Sequence, residues 1–119
     1  MNDDITRQDE NKATDKPKLS VVSQTEFDEL EAKNGRLYII DIVFDEKERY
    51  QFIARRPKKQ VMDAVAKNKA DISKANEIML KNTIVAGDLD LLDDGVIYAR
   101  VLKEIGQIFK EGQSFLTKA

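Results

Sequence analysis

The spacing of apolar residues along the chain switches from helical to alternating and back to helical, and the switches mark the elements. Residues 1–20 hold only Met1, Ile5 and Leu19 as large apolar side chains among charges, amides and a proline. That is too little to offset the entropy of ordering them, so a disordered N-terminal arm is predicted there. Ser23-Gln24-Thr25-Glu26 has the spacing of a capping box, in which hydroxyl and carboxylate satisfy each other's backbone amides. Phe27 and Leu30 fall on one helical face and Asn34-Gly35 supplies a stop, which predicts a short helix over about 24–33.

Alternation begins at Leu37. The run Leu37 to Phe44 is β-branched and aromatic, Asp45 to Glu48 is a charged turn, and Arg49 to Arg55 alternates again, so an antiparallel β-hairpin is predicted. Period two puts Tyr38, Ile40, Ile42 and Phe44 on one face with Tyr50, Phe52 and Ala54, the predicted core side. The second face carries Leu37, Ile39 and Val43 with Asp41, and Ile53 with Gln51 and Arg55. It is too apolar to stand in water unaided, so one of the protein's own helices, a partner or a second copy should cover part of it. An unpaired edge strand would also invite strand addition.

Helical spacing then returns. Pro57 suits a first helical position, and Val61, Met62, Val65 and Ala66 form the stripe of a helix over about 57–68. Asp71 caps a second, over about 72–84, lined by Ile72, Ala75, Ile78, Met79 and Leu80 and stopped by Ala86-Gly87. After an acidic loop whose leucines turn inward, Asp93 or Asp94 caps the strongest stripe of the chain, Ile97, Val101, Ile105 and Ile108, over about 95–110. Gly106 inside it suggests close packing or a bend. The fold class expected is α+β: arm, short helix, antiparallel hairpin, and three helices packed on the sheet. One domain over 21–112 and a frayed tail over 113–119 complete the organisation, with Phe115 and Leu116 able to dock on the core or a partner.

Composition narrows the chemistry. The 119 residues include 20 basic and 22 acidic side chains, no Cys and no His. Near-balance of charge removes any general attraction to nucleic acid or membrane. Without thiol or imidazole the chain lacks the usual ligands of zinc and copper and the commonest general base near neutral pH. No apolar run reaches the roughly 20 residues of a membrane span. The polar start does not resemble a signal peptide, so a cytoplasmic location is expected.

Asp88, Asp90, Asp93 and Asp94 invite comparison with a calcium loop, but an EF-hand register from Asp88 places Asp93 at the glycine and Ala99 at the bidentate glutamate. The expected role of Asp93 and Asp94 is helix capping and a favourable first-turn charge. The run Arg55-Arg56-Pro57-Lys58-Lys59 is the one basic corner that could engage phosphate, yet no recognition helix or RNP-like aromatic platform accompanies it. Asp41 and Arg55 could pair across the hairpin. No hydrolase signature or phosphate-cradling glycine loop occurs, so no catalytic residue, cofactor or metal is assigned and an enzyme is not expected.

Tyr50-Gln-Phe-Ile-Ala-Arg-Arg-Pro57, a short helix, Ala75-Asn-Glu-Ile-Met-Leu-Lys-Asn-Thr-Ile-Val-Ala-Gly-Asp88, and a closing helix with Val101-Leu102 and Ile105 together resemble small tail assembly chaperones of long-tailed bacteriophages, over about residues 24–118. The resemblance implies a non-enzymatic helper in the host cytoplasm that binds the tape measure protein and recruits tail tube subunits. Contact residues expected on the hairpin are Leu37, Ile39, Val43 and Ile53, and the last helix is the other expected contact region. The alternatives are a small nucleic-acid-binding accessory protein using Arg55, Arg56, Lys58 and Lys59, or a minor structural protein of the virion.

Overall fold

In the computed structural model, which describes residues 18–112 and 114–118, Ser23 opens the first helix as its spacing predicts. Its hydroxyl accepts from Glu26 N at 3.1 Å, and Glu26 Oε1 accepts from Ser23 N at 2.8 Å. This helix, α1 (Gln24–Asn34), stops at Gly35, whose N–H donates to the Glu31 carbonyl. Strands β1 (Leu37–Val43) and β2 (Arg49–Arg55) pair antiparallel with Leu37 opposite Arg55 and Val43 opposite Arg49. Asp45 holds the turn by accepting from Lys47 N and Glu48 N, both at 2.7 Å.

Two boundaries differ from expectation. Helix α2 is Lys59–Lys67, so Pro57 is not its first residue. Lys58 is extended and serves as the cap, and a residue before proline, as Arg56 is, is disfavoured from helical conformation, which delays the helix start. Helix α3 is Ile72–Thr83, capped by Asp71, whose carboxylate accepts from Lys74 N. Ile84, expected as the last residue of that helix, instead opens a strand, β3 (Ile84–Ala86), antiparallel to β2. The sheet order is β1-β2-β3, with a register irregularity at Ile53 and Ala54.

A 3₁₀ turn (Leu89–Asp93) leads to α4 (Gly95–Ile108), whose cap Asp94 accepts from both Val96 N and Ile97 N. α4 lies on β1 and buries Ile97, Val101, Ile105 and Ile108. Each such side chain contributes roughly 1.5–3 kcal/mol of burial. They close the core with Ile40, Ile42, Phe52, Ala54, Leu80 and Ile84, so the face expected to be inward is inward, except at Phe44, which is exposed and meets Tyr50 edge-on. α3 packs on α4 and β3, and α2 packs chiefly on α3. A Cβ on Gly106 would meet no atom within 4 Å, so close packing does not explain it. The fold is α+β. No helix among the described residues is long and apolar enough to cross a membrane. Most of the expected arm, residues 1–17, lies outside the described residues, as do residues 113 and 119 of the tail.

Candidate functional site

The second face of the hairpin is covered largely by the chain itself. Residues 18–21 lie against it through Gln51, which is 6% exposed. Its Oε1 accepts from Ser20 N and Val21 N at 2.9 and 3.1 Å, and its Nε2 donates to the Lys18 carbonyl and to Asp41 Oδ1, each at 2.9 Å. Lys18 and Ser20, which the sequence assigns to the arm, are thus fastened to the sheet. α1 lies against β1 farther along. Ile53, one of the expected contact residues, is fully buried and is removed from any contact surface. Leu37 and Ile39 are half-buried, and Val43 is half-exposed at 52%.

The basic corner does not form one patch, because successive strand residues point to opposite faces. Arg55 turns to the second face, where Nη1 donates to Asn34 Oδ1 at 3.0 Å and Nε donates to the Asn82 carbonyl at 3.1 Å. It thus ties the C-terminal ends of α1 and α3, where a cation is favoured. The expected Asp41–Arg55 pair is absent for a geometric reason: Asp41 faces Gln51, and Arg55 is four residues along the strand, roughly 13 Å away. Arg56 points the other way, with Nε donating to Tyr38 Oη at 3.1 Å. Tyr38 Oη donates to Glu111 Oε1 at 2.5 Å, and Arg36 and Arg56 flank that carboxylate at 4.0 and 3.9 Å. The bond to Tyr38 is the main cause raising the Arg56 pKa, so its charge is secure. Lys59 pairs with Asp63 at 2.9 Å, and Lys58 is the exposed cap of α2.

Two of the loop's four aspartates bond the backbone. Asp88 accepts from Asp90 N and Asp94 caps α4. Among the described residues no group of three or more His, Cys, Asp or Glu side chains is placed to hold a metal ion.

One concavity was missed by reading the sequence alone. A groove of about 560 Å³ runs between α3 and the 3₁₀ turn, with Leu80, Leu89, Leu92 and Tyr98 among its lining and Lys74, Glu77, Lys81 and Asp93 at its polar margins. Leu89 is 43% exposed, and Ile72, between the lining residues Asp71 and Ser73, is 70% exposed. The sequence offered only the leucines of Leu89-Asp-Leu-Leu, expected to turn inward, with nothing in their spacing to set Leu89 apart. Leu91 and Leu92 pack against the core and Leu89 is left in the groove. Compared with protein-family models, curated proteins and solved structures, the chain matches none.

Proposed function

We propose that the protein works by holding another protein, and that the groove between α3 and the 3₁₀ turn is its principal contact surface. One observation carries this: Leu80, Leu89, Leu92 and Tyr98 line a groove bordered by charges of both signs, and Leu89 is left 43% exposed in it. Such a lining and such margins suit an amphipathic helix whose apolar stripe lies in the groove and whose flanking charges meet Lys74, Glu77 and Lys81. In line with the resemblance to small tail assembly chaperones, the partner proposed is the tape measure protein of a long-tailed bacteriophage, with tail tube subunits recruited afterwards. The role is that of a non-enzymatic assembly helper in the host cytoplasm.

The basic corner is a weak rival, since Arg55 and Arg56 point to opposite faces and form no single patch. Co-expression with tape measure and tail tube proteins from the same genome is the test. Co-purification that Leu89→Asp abolishes supports the reading. Failure to bind either, together with salt-sensitive DNA binding that Arg56→Glu abolishes, would overturn it.

A further inference from the structure

The edge of β1 is the longest unpaired backbone among the described strands. Phe44 N donates to the Glu48 carbonyl at 2.9 Å, so by alternation Tyr38, Ile40 and Ile42 bond to β2. The amides and carbonyls of Leu37, Ile39, Asp41 and Val43 therefore point away from the sheet. No hydrogen bond to them is found among the described residues. The opposite edge, β3, is only three residues long, which blunts it.

The geometry points to a second copy of this chain as the occupant of that edge, joined β1 to β1 about a twofold axis through Ile40. The proposal is independent of the groove reading above. Three registers place outward-facing residues opposite one another near the middle of the strand. Centring on Asp41 sets two carboxylates face to face, which is destabilising. Centring on Ile39 leaves Val43 without a strand partner. Centring on Ile40 pairs all seven residues, with Leu37 opposite Val43 and Ile39 opposite Asp41 of the other copy, and forms about eight backbone hydrogen bonds. It also brings half-exposed Val43 against an apolar neighbour.

The helix above the edge agrees with the same axis. A groove of about 360 Å³ runs beside Tyr38, Ile39 and Ile40, and its other wall is α4 with Glu104 and Gln107, continuing to Lys110. In the proposed dimer Gln107, which lines the same groove as Ile40, lies nearest the axis, and the two copies of α4 run antiparallel across it. Gln107 then meets Gln107, and Glu104 of each copy meets Lys110 of the other. One operation thus pairs the whole strand without facing carboxylates and sets opposite helix charges together, as an isologous interface requires.

Sedimentation equilibrium of the full chain tests this, with a mass of twice 13.6 kDa expected. Glu104→Lys and Lys110→Glu should each weaken the dimer by about tenfold, and the double exchange should restore it. Because the chain has no cysteine, Gln107→Cys should give a covalent dimer on mild oxidation, whereas Ser73→Cys, on the distant face of α3, should not. A monomer at high concentration overturns the proposal. So does a dimer indifferent to the charge exchange, or equal cross-linking by both cysteine variants.

Discussion

Gly87 sets the path of the chain out of β3. Its φ is 125°, and a Cβ there would stand 2.6 Å from Phe52 Cδ1 and 3.2 Å from the Gln51 carbonyl. Phe52 is fully buried and cannot retreat. Gly87→Ala should therefore cost about 2–4 kcal/mol in chemical denaturation, combining strained backbone with overpacking. Gly106 is the opposite case, with open space where a side chain would go, and Gly106→Ala should stabilise the fold by about 1 kcal/mol. Tyr50 supplies a residue-scale pH dependence. Its hydroxyl donates to Glu48 Oε2 at 3.0 Å, and that bond is the main cause holding its pKa above the ordinary phenol value. The folded chain keeps this proton more tightly than the unfolded chain. The interaction therefore stabilises the fold below the unfolded phenol pKa and is lost as pH rises through the folded one. An ultraviolet titration should show Glu48→Gln lowering the Tyr50 pKa.

At the scale of elements, Gln51 decides what the second sheet face does. Its amide satisfies two backbone N–H groups and one carbonyl of residues 18–21 and fastens that segment over the sheet. Gln51→Leu keeps the volume and removes these bonds, so amide exchange at Ser20 and Val21 should quicken by at least about tenfold. The sequence could not show this, because the partners are a side chain and a backbone segment some thirty residues apart with no pattern linking them. Local rules carried the caps at Ser23, Asp71 and Asp94, the hairpin and its register-setting turn, and the stripe of α4, since each is fixed by residues within one or two turns. They failed at β3. Ile84-Val85-Ala86 follows α3 without a break, and only the partner strand β2 distinguishes its extended form from one more helical turn. They failed likewise at Ile53, whose burial depends on what crosses the sheet, and at the basic corner, where strand alternation sends Arg55 and Arg56 to different faces.

At the scale of the whole molecule, two surfaces of different kinds stand open among the described residues: a groove beside α3, and the backbone edge of β1. The contact residues expected on the hairpin sort between them. Leu37, Ile39 and Val43 belong to the edge, Ile53 to the interior, and none to the groove. Reading the groove required the 3₁₀ turn, because consecutive leucines carry no period that says which one stays outside. If the groove holds a helical partner, truncating its exposed lip should weaken binding while leaving the fold intact, since Leu89 lies outside the buried core. The most direct measurement is the affinity of the full chain for co-expressed tape measure protein, with and without Leu89→Asp. Binding that this substitution weakens by at least about tenfold, with unchanged unfolding stability, is the expected result. Equal binding by both forms, or no binding by either, would contradict it.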